Sequence, residues 1–379
     1  MTHLARYTFT GAFDDDQHEL RRVVRSFLTA HSTEDDVRRL MATTDGYDPA
    51  QWRRMGAELG LQGLAIPEEY GGSGFGHLEL GIVFEEMGRA LLCAPYLATV
   101  ALAAEALLRC DDPAARADLL PGIAAGETVA TLALTEDDGH WDERAVTAEA
   151  VRAGDGWAIT GTKTFVPDGH TADLILVVAR TGVGISLFAV RAGAPGLARA
   201  PLPTLDQTRK QARLDLAAVP ARLIGAEGAA WPVVRRTLAA AAVLLAAEQV
   251  GGAARALELA VDYARIRVQY GRPIGSFQGV KHLCADMLTA VESARSAAYE
   301  GLWALAADAP DAHLSAALAK AYCSHAYSRV AGDCVQVHGG IGFTWEHPAH
   351  LYLKRAKSSE VLFGTASYHR DRLATWLGL

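Results

Sequence analysis

The stretch GWAITGTKTFVPDGHTAD, Gly156 to Asp173, decides the fold. It is rich in Ile, Thr and Val, its large apolar residues recur at alternate positions, and it runs into a Pro-Asp-Gly turn. That is how a half-buried strand reads. Its neighbours follow the same pattern: TVATLALTE (128–136), AVTAEAVRAG (145–154), ADLILVVART (172–181), GISLFAVRAG (184–193) and KQARLDLAAVPARLIG (210–225). Alternation over several such runs predicts antiparallel strands with one buried face, closed into a small barrel or sandwich over residues 124–232.

On both sides of this block the period changes to that of helices. Residues 1–123 read as a helical domain. DDDQHELRRVVRSFLTAH opens on an acidic cap, and PAQWRRMGAELGLQG, LELGIVFEEMGRALLC and LATVALAAEALLRC follow, with AIPEEYGGSGFG as a Pro/Gly loop between the second and third of these. Residues 233–379 form the third unit. Helices are expected at about 231–266, 276–306, 311–338 and 348–375, joined by short loops, which makes a four-helix bundle. The fold class is therefore mainly α with a β middle domain.

Composition narrows the function. Half of the 379 residues are hydrophobic, only 7% are aromatic, and the formal net charge is −8 with no long basic run. Nucleic acid and anionic membranes are thus disfavoured as partners. The first twenty residues carry no apolar core of a secretion signal. The most apolar run, LAAAAVLLAA from Leu238 to Ala247, is too short to span a bilayer and is followed by Glu248 and Gln249. Cys93, Cys110, Cys284, Cys323 and Cys334 show no metal spacing, so no metal site is expected, and reduced thiols in the cytoplasm are.

The order α, β, α and four motifs resemble the acyl-CoA dehydrogenase family along essentially the whole chain. IPEEYGGSG (66–74) is similar to the family's Pro-Glu-x-x-Gly-Gly loop, and the 156–173 stretch to its middle-domain hairpin. RVQYGRPIGSFQ (267–278) is similar to its Arg-x-x-Phe-Gly motif, and QVHGGIGFTWEHP (336–348) to its Gln-x-x-Gly-Gly motif. The resemblance implies FAD held across a dimer interface in a dimer or tetramer. It also implies removal of an α-proton and a β-hydride from an acyl-CoA substrate. On the family's pattern Arg267, Gln269, Tyr270, Gln278, Gln336, Val337, His338, Gly339 and Gly340 would hold the nucleotide end of FAD, with Thr365 and Ser367 nearby. Leu134, Thr135 and Phe165 would lie at the flavin ring.

Against that pattern the ring end is eroded. The strand that usually reads Thr-Glu-Pro-x-x-Gly-Ser-Asp is LTEDDGHWDER here, and Pro167 stands where a hydroxyl usually faces the flavin. Proline offers neither hydroxyl nor N–H. The usual base before Gly-Thr is Phe363. The family's other base position falls near Ala241, and the arginine after it becomes Ala242. A hydrocarbon accepts no proton. Glu360, one helical turn before Phe363, is the candidate for a relocated base, with capping of a helix end as its ordinary role. Glu248 must be paired, either inside the bundle or at an interface.

Motifs that act across an interface are kept and those of the chain's own pocket are lost. The expectation is a subunit that works with a second, acyl-CoA dehydrogenase-like chain. QVHGGIGFTWEHPAHLYLKRAK resembles actinobacterial heteromeric members, some acting on steroid side-chain thioesters. The alternatives are a self-sufficient homo-oligomer with a relocated base, a flavin monooxygenase on the same fold, or a binding subunit without activity.

Overall fold

Helix starts are written into the N-terminal sequence by short polar side chains. In the structure, a computed structural model describing residues 13–379, Asp14 and Gln17 form a reciprocal capping box at the head of α1 (Asp15–His31). Thr33 and Asp36 do the same for α2 (Glu34–Met41), and Asp48 with Pro49 opens α3 (Pro49–Ala57). α4 (His77–Arg89) follows. The next helix is a π-helical turn, Leu97–Ala104, running into α5 (Glu105–Arg109); α6 is Pro113–Ala124. The short α2 and α6 were not read from periodicity. The segment judged for a secretion signal lies mostly outside the described residues.

The middle block is β1 (Ala130–Ala133), β2 (Glu149–Ala153), β3 (Gly156–Pro167), β4 (Leu174–Arg180), β5 (Ile185–Arg191), β6 (Leu197–Pro201) and β7 (Gln211–Ile224). β2 pairs with β3, β3 with β7, β7 with β5, β5 with β4, and β4 meets β2 again, so the sheet closes into a barrel. β1 and β6 lie outside the ring on β4 and β7. Every residue of β4 but the last is buried, and it fills the barrel with Val, Ile and Leu.

The bundle is α7 (Ala230–Ile266), α8 (Gln278–Ala306), α9 (Ala312–His338), α10 (Ala349–Val361) and α11 (Ala366–Leu377). Here the expectation of one helix over 348–375 is corrected. The chain breaks between α10 and α11, where Phe363 has φ +60° and Gly364 φ +101°. Left-handed backbone cannot continue an α-helix. α7 passes the length and apolarity test for a membrane helix, yet 83% of its most apolar window is buried. It packs at backbone range on α4: a Cβ added at Gly88 would meet the Glu248 carbonyl oxygen at 2.0 Å, and one at Gly251 the Glu85 carbonyl oxygen at 1.8 Å.

Candidate functional site

The C-terminal ends of α7 and α9 meet. The Tyr263 and His338 rings stack at 4.5 Å, and His338 packs on His347 at 4.1 Å. His338 Nδ1 faces the Cys334 carbonyl at 2.7 Å, so this ring ties the helix end. Directly beyond Tyr263, Arg267 closes α7 and its amide donates to the Tyr263 carbonyl. A two-strand hairpin, β8 (Val268–Gln269) and β9 (Arg272–Pro273), turns through Tyr270 and Gly271, both with positive φ. Gln278 is the first residue of α8. Beyond α9, Gly339 and Gly340 begin a 3₁₀ turn to Phe343.

The structure thus brings Arg267, Gln269, Tyr270, Gln278, Gln336, Gly339 and Gly340 to one end of the bundle, all exposed, with Val337 and His338 buried beneath. Gly339 has φ +61° and ψ −138°, a conformation for glycine alone. A Cβ at Gly339 or Gly340 would meet nothing in this chain. The apolar side chains Val268, Tyr270, Phe343 and Trp345 are exposed around this face. An open, glycine-floored surface with a guanidinium and aromatic rims suits a phosphate-bearing ligand or a second chain.

The remaining candidates lie elsewhere. Leu134 and Thr135 follow β1 and are buried. The Thr135 hydroxyl donates to the Thr164 carbonyl at 2.6 Å, and the Thr164 amide donates back at 2.8 Å, fastening the end of β1 to β3. Phe165 sits at a register shift with φ +59° and remains 39% exposed. Thr365 caps α11 by accepting from the Tyr368 amide, and Ser367 is exposed on the first turn of α11. Glu136 survives from the family strand as a structural acid: it pairs with buried Lys163 at 2.8 Å and accepts from the Thr147 and Ala148 amides.

Directly at Phe363 the space is small, although Trp141, Leu238, Tyr368 and Arg372 are shared with an outer cleft of about 750 Å³ that carries Asp138, Asp142 and Glu143. Trp141, Leu238, Ala242, Phe363 and His369 line a cavity of about 20 Å³. Phe363 and Trp141 meet edge to face at 5.4 Å and fill it. The break that delivers Phe363 is clamped: Lys320 Nζ donates to the Glu360 and Gly364 carbonyls at 3.2 Å each, and His369 Nε2 lies 3.0 Å from the Phe363 carbonyl. Burial pushes the Lys320 ammonium down to about 7.

Glu360 does not line this cavity. Its carboxylate accepts from Ser328 at 2.9 Å and Lys357 at 3.0 Å, because α10 ends one residue later and the chain turns away. The face-sharing expected of an unbroken helix is therefore absent. Glu248 is a core anion. It accepts from Arg209 and Arg355, and Arg355 also pairs with Asp206 at 2.9 Å.

Phe363→Ala is expected to lower unfolding free energy by about 3–5 kcal/mol, since a buried aromatic is lost and the clamp resists collapse. Urea denaturation reads this; a loss below about 1 kcal/mol would mean that the site closes up. Trp141, His369 and Lys320 were missed in the sequence. The one signal was a tryptophan in the otherwise polar run DDGHWDER.

The two groups of residues are far apart. Leu238 and Ala242 mark the cavity, and Arg267 follows the other end of the same helix. At 1.5 Å per residue, the separation along α7 is about 40 Å.

Comparison with known proteins covers most of the chain. Models of the acyl-CoA dehydrogenase N-terminal, middle and C-terminal domains match residues 14–127, 131–216 and 228–378. Acyl-CoA dehydrogenase IpdE2 of Mycobacterium tuberculosis is 37% identical over 350 residues, 92% of this chain and 93% of the relative. The ChsE4-ChsE5 complex from the same organism superposes with a TM-score of 0.89 at 32% identity, over 97% of this chain and 98% of the other. Butyryl-CoA dehydrogenase from Megasphaera elsdenii gives 0.91 at 26% identity, over 97% and 99%.

Proposed function

The chain belongs to the acyl-CoA dehydrogenase family, an FAD-dependent family of oxidoreductases, and we propose that within it this protein is a subunit that grips the nucleotide end of FAD for a partner chain. The observation that carries this reading is the filled cavity, where Phe363 packs on Trp141 and no carboxylate faces the space. The open glycine floor at Gly339 and Gly340, beside exposed Arg267 and Gln278, fits a pyrophosphate held from one side. The bound flavin supplies the hydride acceptor. This chain's residues then hold phosphate with Arg267, position the nucleotide with Gln278, and keep the approach free of side chains at the two glycines. The separation of about 40 Å along α7 supports a division of labour, because one cofactor cannot reach both ends of one chain. The partner would be a chain of the same fold with a complete pocket, and the assembly a dimer or tetramer. Scattered cysteines without disulfides fit a cytoplasmic setting.

The test is flavin retention. The chain purified alone is expected to be colourless, and to purify yellow with a same-fold partner encoded nearby. Arg267→Ala should cut flavin content at least tenfold in the co-purified complex. A yellow, stable lone chain would defeat the reading.

One observation favours a second reading, a self-sufficient enzyme with a displaced base. His369 is buried at the cavity wall, its Nε2 faces the Phe363 carbonyl, and its Nδ1 has no partner. Burial, with Lys320 nearby, pushes its imidazole down to about 4, so it is neutral at pH 7. Dehydrogenation by the lone chain that disappears in His369→Gln would establish that reading.

A further inference from the structure

A cavity of about 440 Å³ lies between α1, α2, α4, α7 and α10, at a place that none of the sites above uses. Along α7, its Leu259 stands about 25–30 Å from Leu238 and Ala242 at the Phe363 cavity. None of the residues assigned to the nucleotide end lines it. Leu28, Val37, Leu91, Leu259 and Leu351, all buried or half-buried, make an apolar wall. Leu91 holds a left-handed φ of +47°, a strained backbone for a leucine, where the chain leaves α4 along this wall.

The polar side of the cavity carries a surplus of positive charge. Its two carboxylates are already matched: Glu86 accepts two bonds of 2.7 Å from Arg25, and Glu34 accepts from Arg38 at 2.8 Å. The other two guanidiniums at the rim, Arg89 and Arg255, share a single acid. That acid is Glu258, which Arg89 grips with both arms and Arg255 meets at 3.0 Å. Glu258 does not line the cavity. The carbonyls at the end of α4 that would repel an anion are occupied: Arg89 accepts from the Tyr352 hydroxyl at 2.7 Å, and Ala90 from the Ser32 hydroxyl at 3.2 Å. α10 enters with its N-terminus, at Pro348, and has no acidic residue in its first turn. An apolar wall that faces a guanidinium with only a shared acid suits a compact apolar anion.

We propose that this cavity binds a small monocarboxylate with a flat or branched hydrocarbon body, held by Arg255 at the rim and by the leucine wall inside. At about 30 Å³ for each non-hydrogen atom, the space takes roughly 15 of them. A two-ring aromatic acid fills it, and a CoA thioester is several times too large. The site stands apart from the reaction, and it does not depend on whether this chain works alone or with a partner.

The experiment is calorimetric titration of the full chain with 2-naphthoate, its neutral isostere 2-naphthamide, and acetate. 2-Naphthoate should bind at one site, and more weakly at high salt. 2-Naphthamide, which lacks the charge, and acetate, which lacks the rings, should each bind at least tenfold more weakly. Leu259→Trp, which fills the cavity, should weaken 2-naphthoate at least tenfold. Arg255→Gln should do the same while leaving 2-naphthamide within about threefold. Arg255 is half-exposed, and Glu258 keeps Arg89 in that variant, so the fold is expected to persist, with circular dichroism as the check. Arg53→Gln, on α3, is the control for net charge and should change nothing. No binding of 2-naphthoate, or binding that either folded variant leaves intact, would overturn the site. Equal affinity for 2-naphthamide would overturn the anionic assignment, and equal affinity for acetate the apolar one.

Discussion

Co-purified with a chain of the same fold that carries a carboxylate where this one has Phe363, the protein is expected to support acyl-CoA dehydrogenation about 10²–10⁴-fold faster than it does alone. The size follows from chemistry. The α-proton needs an acceptor in the transition state, and among the described residues no carboxylate lines this chain's cavity; of its two histidines, His313 and His369, the latter is turned to the Phe363 carbonyl. The assay compares each chain alone with the complex, using an artificial electron acceptor. Arg267→Ala, made only in this chain, should depress the rate of the complex along with its flavin content. A lone chain turning over as fast as the complex would refute the account. Unchanged flavin content in the Arg267→Ala complex would refute the placement of the nucleotide.

Glu248→Leu is expected to cost about 3–5 kcal/mol, the second large effect. Glu248 is 4% exposed, and Arg209 and Arg355, also buried, converge on it. Burial by itself would raise the carboxyl's pKa, but the two guanidiniums outweigh that and leave it below the usual 4.5. The sign of the pH dependence follows. A lowered folded pKa contributes stability above about 4.5, and that contribution is lost as pH falls through the lower folded value. The stability gap between wild type and Glu248→Leu in denaturant titrations should therefore be full at pH 7 and narrow as the pH is lowered below about 4.5. Removing Arg355 as well, as Leu, should cost less than the sum of the single changes, because fewer uncompensated charges remain in the core. Strict additivity would mean that the groups act independently.

The sequence carried the architecture because its signals are local. The acidic run at Asp14 marks a helix start by side-chain chemistry, and apolar alternation in the 156–167 run marks a strand, whereas the capped starts at Thr33 and Asp112 went unread with the short helices they open. Gly339, Gly340 and Arg267, proposed for the nucleotide end, were named from the resemblance, and the structure brings them together at helix ends. What escaped was decided by long-range packing. The helical period of 348–375 runs on through Phe363, and only the hold of Lys320 and His369 on the carbonyls of residues 360, 363 and 364 shows why it breaks there. Once broken, Glu360 faces Ser328 instead of the cavity. Trp141 gave no hint of its partner, since 222 positions separate it from Phe363 in the chain.

The paired glycines 88 and 251, which let two helices touch main chain to main chain, bear on how the polypeptide can be divided. A methyl group at either would wedge them apart, so the seam tolerates no gradual loosening. Cutting before residue 230 would strip α4 of the surface it was shaped against and leave both fragments with a bare, grooved apolar flank. The protein should accordingly melt as one cooperative body and resist being inherited, expressed or engineered in pieces.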